Sequence, residues 1–253
     1  MKATMNFYKP QPGQHITILG LGPSLEEYSR TIKGLGSRKA YTDQVWAINA
    51  LGDLYQCDLV FHMDDLEIQR IRAAARPESN IAAMVAWLEK SKTPVMTSRA
   101  YDKAPCLVEF PLQEVLQNLQ FPYFNSTTAY AVAYAIHCQA SKISLFGIDY
   151  TYPDAHDAEK GRACVEFWLG QAAARGIKIG MPKTTALMDA IYSQQQRLYG
   201  YDTRLVDVSA DNGLVEVSFS EIEKKQLPTA DEIEQRYCHK KHPNALVEGD
   251  THA

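Results

Sequence analysis

No apolar run in this 253-residue chain approaches the roughly 20 residues that cross a bilayer as a helix, so no membrane partner is expected. Excess positive charge is missing as well. Against 26 Lys and Arg stand 30 Asp and Glu, a formal net charge of -4, which leaves no global field for nucleic acid or an anionic surface. The opening stretch, MKATMNFYKPQPGQH, has no secretory h-region, and the cytoplasm is the expected location. The cysteines (Cys57, Cys106, Cys138, Cys164 and Cys238) form no close pair and no metal-ligand spacing, so free thiols filling core in a reducing compartment are expected. Catalytic signatures are absent too. GxxxxGKS/T does not occur, which excludes a Walker loop. GxSxG, HExxH and CxxC do not occur either, so hydrolase-elbow, zincin and thioredoxin chemistry have no support.

What remains is an ordinary globular composition, 45% hydrophobic and 22% charged, in a chain long enough to bury a sizeable core. Short apolar runs alternate with amphipathic ones. HITIL (15–19), VWAIN (45–49), DLVFHM (58–63), TPVMT (93–97), the run 143–148 and IKIG (177–180) read as strands. Helices are expected from Leu25 and over 64–76, 80–90, 111–120, 129–140, 157–176 and 184–201. This alternation predicts an α/β fold with a Rossmann-like, mostly parallel sheet flanked by helices. RLVDVSADNGLVEVSF, turning at Asp211-Asn212-Gly213, reads as a β-hairpin added once the alternation is complete. The expected division is therefore a Rossmann-like ligand-binding domain over 1–200 and a small C-terminal β-hairpin with a polar tail over 201–253.

The stretch Lys142–His156, KISLFGIDYTYPDAH, has the form of a buried strand that ends at the mouth of a site. In open α/β sheets, ligands bind outside the carboxyl ends of the strands. Other strand ends carry compatible chemistry. Gly20-Leu21-Gly22-Pro23-Ser24 follows the first strand and opens a helix, where glycines let the backbone approach a phosphate and N–H groups face an anion. The same turn also serves as a tight connection without a ligand, and it lacks the third glycine of a dehydrogenase fingerprint. Asn49 ends the second strand. Asp64 and Asp65 end the third, where they either hold a divalent metal or a ribose or simply favour the next helix's N-terminus. Asn125-Ser126-Thr127-Thr128 heads an apolar helix, as a phosphate or ribose cradle or as a structural cap. His62 and His137 are expected to be packed rather than ligating. His156 is the candidate general base, since its near-neutral pKa suits proton transfer, or else a histidine of a surface loop. Tyr150 and Tyr152 are candidates to donate hydrogen bonds to a leaving phosphate.

GLGPSLEEY, WAIN, LVFHMDD and NSTTAYAVAYAIHCQASKISLFGIDY together resemble the DUF115-like group of Rossmann-like nucleotide-binding proteins, over roughly residues 15–180. That group includes the bacterial sialyltransferases of glycosyltransferase family 42 and the archaeal 6-hydroxymethylpterin pyrophosphokinases, and it has phage members. The resemblance implies a glycosyltransferase moving a sugar from a CMP- or UDP-linked donor to a hydroxyl acceptor, on a glycan or on a modified DNA base, in a monomer or homo-oligomer. Positions matching the family's CMP-sugar contacts are Gly20, Gly22, Pro23, Ser24, Asn49, Ser126 and Tyr150. Asp64, Thr127, Gly147 and Asp149 join them as ligand-binding or ligand-orienting neighbours. The family's histidine base lies ahead of a helix containing a Glu-Phe pair. Here that pair is Glu166-Phe167, and His156 stands at the matching spacing. The family requires no metal cofactor, while Asp64 and Asp65 leave magnesium open. One alternative is a pterin-type diphosphotransferase using ATP and magnesium on that acidic pair; another is a nucleotide-binding protein without catalysis. Two positions depart from the sialyltransferase pattern, Leu21 where a polar residue is usual and Tyr123 near the place of an arginine, which leaves the donor sugar open.

Overall fold

Alternation within the short apolar runs decides the architecture. In β1 (His15–Leu19), Ile16 and Ile18 join one core and Leu19 the other. In β2 (Gln44–Ile48), Trp46 and Ile48 oppose Val45 and Ala47. In β3 (Leu59–Phe61), Leu59 and Phe61 oppose Val60. Successive strand side chains point to opposite faces, so strands apolar at both parities must be covered on both sides. The computed structural model, which describes residues 10–101, 104–151, 155–188, 204–211, 214–223, 225 and 227–232, shows that covering. Helices α1 (Leu25–Leu35), α2 (Leu51–Leu54), α3 (Leu66–Ala75) and α4 (Asn80–Leu88) bring Tyr28, Leu51, Leu66, Val85 and Leu88 to one face. Helices α5 (Leu112–Leu119), α6 (Thr127–His137) and α7 (Ala155–Ala174) bring Val115, Leu119, Trp168 and the alanine-rich body of α6 to the other. Ala129, Ala131, Ala133 and Ala135 are fully buried, and such small side chains let α6 lie close across β1, β2 and β3.

With β4 (Val95–Thr97), β5 (Leu107–Glu109), β6 (Lys142–Phe146) and β7 (Lys178–Gly180), the sheet has seven strands in the order β5-β4-β3-β2-β1-β6-β7. All neighbours are parallel. The expected fold class is what the structure shows, with one strand added. β5 is a three-residue edge strand ending in the exposed Glu109, too short for its periodicity to register. The order carries the functional information. The chain lays down β1 to β5 in one direction, then returns to place β6 on the other side of β1. The topological switch point thus falls between β1 and β6, where open α/β sheets leave a crevice beyond the strands' carboxyl ends.

The chain divides into two compact units, Met1–Gln194 and Gln195–Ala253. In the second, β8 (Arg204–Asp211) and β9 (Leu214–Glu221) pair antiparallel, with Val206 opposite Phe219 and Val208 opposite Val217. The expected turn residues Asn212 and Gly213 lie outside the described residues, as do 189–201 of the expected 184–201 helix. Residues 184–186 of that stretch are not helical. Cys57, Cys106, Cys138 and Cys164 are buried free thiols, and burial, with Asp58 nearby, pushes Cys57 up to about 11, which makes it inert. Cys238 lies outside the described residues. Among the described residues no helix is long and apolar enough to cross a membrane.

Candidate active site

The two loops at the switch point are locked backbone to backbone. Gly20 N–H donates to the Phe146 carbonyl at 2.8 Å and Gly22 N–H to the Gly147 carbonyl at 2.7 Å. Gly147 has φ +67°, the left-handed region that L side chains rarely adopt, and a Cβ there would lie 2.0 Å from the Gly20 carbonyl oxygen. A Cβ on Gly20 would in turn lie 2.4 Å from the Gly147 oxygen. The glycines read from sequence as a phosphate turn are thus required by the contact between the two loops themselves. Ser24 and Asp149 complete the lock. Asp149 accepts from the Ser24 N–H at 2.8 Å and from the Ser24 hydroxyl, whose oxygen accepts from the Gly147 N–H at 2.7 Å. Both side chains are buried, at 3% and 4% exposure. Gly22 has no room for a Cβ because the Asp149 carboxylate would be 2.5 Å away. Ser24, Gly147 and Asp149 therefore fix the wall of the crevice, while Leu21 and Pro23 are its exposed surface.

The other strand ends contribute unequally. Asn49, at the end of β2, is half-buried with φ 54°, and its N–H donates to the Phe61 carbonyl at 2.9 Å. Its side-chain Oδ1 lies 2.9 Å from Nδ1 of His62, at the end of β3. Because Oδ1 only accepts, Nδ1 carries the proton, and His62 holds the Asn49 amide in one orientation. His62 is fully buried, and its Nε2 has no hydrogen-bond partner. Burial lowers its pKa, with Asp64 pulling the other way, so the ring is neutral. Asp64 and Asp65 are both exposed. Asp65 accepts from Glu67 N–H at 2.9 Å as the cap of α3 and lies 3.7 Å from Arg99. Among the described residues no three His, Cys, Asp or Glu side chains gather as a metal site.

At the head of α6, Ser126 is the cap, its hydroxyl accepting from Ala129 N–H at 3.3 Å. That hydroxyl lies 3.5 Å from the Tyr150 hydroxyl, which brings together two residues expected at the site. Thr127 follows as the first residue of α6, partly exposed. Tyr150 itself has φ 50°. Among the described residues, the non-glycine residues with positive φ that follow β-strands are Asn49 and Tyr150, and such strain gathers where function over-determines the backbone. His156 lies in the first turn of α7, which starts at Ala155, two residues earlier than expected. Tyr152 lies outside the described residues. Glu166 is paired with Arg162 at 2.8 Å and accepts from Met188 N–H at 2.6 Å, while the Phe167 ring packs at 5.2 Å from Phe121 and 5.4 Å from Tyr123. His137 packs on Tyr134 and lies 3.2 Å from the Asn118 amide, as a packed histidine should.

Two features were not expected. The first is a strap over the Gly147–Tyr150 turn. The Thr185 hydroxyl donates to the Ile148 carbonyl at 2.8 Å and Ala186 N–H to the Asp149 carbonyl at 2.9 Å, in place of the helix start read at Thr184. The paired threonines Thr184-Thr185, ahead of the apolar run, were the signal available for a polar tether. The second is Gly161 in α7, which had no distinguishing signal in sequence.

No family model matches the chain, and no curated protein matches it. Among solved structures, the chain is similar to the sialyltransferase CstII from Campylobacter jejuni in complex with the substrate analogue CMP-3FNeuAc, at 19% identity and a TM-score of 0.43, over 88% of this chain and 98% of that one. An α-2,3-sialyltransferase from Campylobacter jejuni in apo form gives 16% identity and a TM-score of 0.42, over 75% of this chain and 82% of that one. CstII in complex with a trisaccharide acceptor and CMP gives 14% identity and a TM-score of 0.41, over 88% and 98%. At these identities and scores the likeness has no bearing on chemistry, which rests on the residues of the crevice.

Proposed function

We propose that the chain is a glycosyltransferase that binds a nucleotide-linked sugar in the crevice between β1 and β6. The observation that supports this reading best is the meeting of Ser126 and Tyr150, whose hydroxyls lie 3.5 Å apart beside a turn that Ser24 and Asp149 hold rigid. Hydroxyl donors on a preorganised frame suit a phosphate whose charge grows as the sugar leaves. In this reading Asn49, held by His62, orients the nucleotide, and Ser126 and Thr127 face it from the head of α6. The bond from the anomeric carbon to the phosphate oxygen breaks, and a bond from that carbon to the acceptor oxygen forms. The acceptor's proton passes to His156, and Tyr150, with Tyr152, donates hydrogen bonds to the departing phosphate. The CMP- or UDP-linked donor and the hydroxyl acceptor are what the family resemblance implies. The alternative, a magnesium-dependent diphosphotransferase, would use Asp64 and Asp65 as ligands; Asp65 also caps α3 beside Arg99.

The test is a thermal-shift panel of CMP, UDP, GDP, ADP and their sugars, with and without magnesium. A ligand that binds the native state raises Tm, by about 2.7 kcal/mol of stabilisation at a hundredfold excess over Kd. At least one CMP- or UDP-linked sugar is expected to raise it without magnesium. The donor so found then serves in a turnover assay. His156→Ala is expected to lower transfer by about 100-fold or more, the usual worth of a positioned base. Unchanged transfer would remove His156 from the mechanism.

A further inference from the structure

Gly161 lies seven residues into the twenty-residue helix α7, where glycine is among the costliest choices a helix can make. The space beside it explains the choice. A Cβ on Gly161 would stand 2.6 Å from Cε1 of Tyr150 and 3.4 Å from both Cζ and Oη. The other glycine within α7, Gly170, meets nothing within 4 Å. One helix thus holds a glycine filled by the Tyr150 ring and a second that is free of any such demand.

The backbone on the Tyr150 side cannot yield. Asp149 is fastened to Ser24 through both carboxylate oxygens, and its carbonyl accepts from Ala186 N–H at 2.9 Å. Tyr150 is already at φ 50°, in a region with little freedom for a residue that carries a Cβ. The side chain is the part left to move. We propose that Gly161 is the positioning residue for Tyr150: its missing side chain is a notch in α7 that seats the ring and sets its hydroxyl 3.5 Å from Ser126. The same helix carries His156 in its first turn, so the notch also ties the register of that turn to the ring. The functional part of this inference rests on the reading above, in which Tyr150 donates to the leaving phosphate.

The experiment pairs a stability cycle with kinetics. Gly170→Ala is the internal reference and is expected to raise Tm by about 2–4 °C, the helix preference of alanine expressed in a domain of this size. Gly161→Ala is expected to give no such gain in the wild-type background, because the ring is displaced. In a Tyr150→Ala background it is expected to gain as much as Gly170→Ala does. A full gain in the wild-type background would overturn the notch, and this arm needs no ligand.

The kinetic arm uses the donor identified by thermal shift. Gly161→Ala is expected to lower kcat by at least about tenfold with little change in KM. It should match Tyr150→Phe, and the double variant should lose no more than either alone. A rise in KM with kcat intact would overturn the positioning role. If no nucleotide shifts the wild-type Tm, the glycosyltransferase reading falls, while the stability cycle still decides whether Gly161 seats the ring.

Discussion

Gly147 shows how strictly the switch point is built. Its φ of +67° and the 2.0 Å approach of a Cβ to the Gly20 carbonyl are two independent barriers to any side chain. Gly147→Ala is therefore expected to destabilise the protein by about 3–5 kcal/mol, at the high end for a point substitution, as measured by urea unfolding at neutral pH. A loss below about 1 kcal/mol would mean that the two loops separate easily. Ser24 works by a different mechanism. Its hydroxyl accepts from Gly147 N–H and donates to Asp149, both out of reach of solvent. Ser24→Ala leaves an N–H and a carboxylate short of one partner each, so about 2–4 kcal/mol should be lost. Ser24→Thr keeps the oxygen and should lose less. The ordering of the two variants separates a lost hydrogen bond from a packing defect.

Among elements, the end of β3 makes a prediction about pH. His62 is fully buried and neutral, and its pKa lies below the ordinary 6.5 because burial disfavours the charged ring. Below pH 6.5 the unfolded chain takes up a proton that the folded ring declines. Stability must therefore fall as pH drops from 6.5 toward the ring's lowered value, by up to about 1.4 kcal/mol per pH unit, and stay level above 6.5. His15 is also lowered, by burial and then by Lys142, and adds a slope of the same sign. The difference between wild type and His62→Asn, whose amide can still donate to Asn49, isolates the His62 part. Equal slopes in the two proteins would place the ring in solvent. These elements were legible in sequence to different degrees. The six strands with clear apolar runs and the helices of the first 180 residues stand close to where periodicity put them, because burial on one or both faces writes itself into spacing. β5 did not, since three residues hold no period. The helix read from Thr184 starts differently, because Thr185 meets a carbonyl 37 positions away that no local pattern records. The candidate site followed the same rule. Glycines and hydroxyls at strand ends were legible. The assignment of Ser24 and Asp149 to each other was not, because that bond joins residues 125 positions apart.

At the scale of the whole molecule, the strand order and the cores assign fold and crevice to the first of the two units. All described members of both hydrophobic cores lie between Ile16 and Leu187. The residues proposed for the site, Gly20 to Ser24, Asn49, Ser126 and Gly147 to Tyr150, lie in the same unit, Met1–Gln194. The second unit contributes a two-stranded antiparallel pair, and a lone two-stranded sheet is marginal as an independent source of stability. A chain ending at residue 194 is therefore expected to fold with the same sheet, to unfold in one cooperative step, and to hold its Tm within about 4 °C of the full chain, equivalent to roughly 1–2 kcal/mol. Far-ultraviolet circular dichroism and scanning calorimetry of the two forms are the measurement. The nucleotide response supplies a second reading of the same experiment. If the donor is held by the crevice between β1 and β6 alone, the nucleotide-induced rise in Tm carries over to the shorter chain undiminished, because ligand stabilisation depends on Kd and concentration and not on the size of what lies outside the site. A shortened chain that folds but no longer responds would move part of the donor site beyond residue 194. One that fails to fold would show that residues beyond 194 are needed for folding.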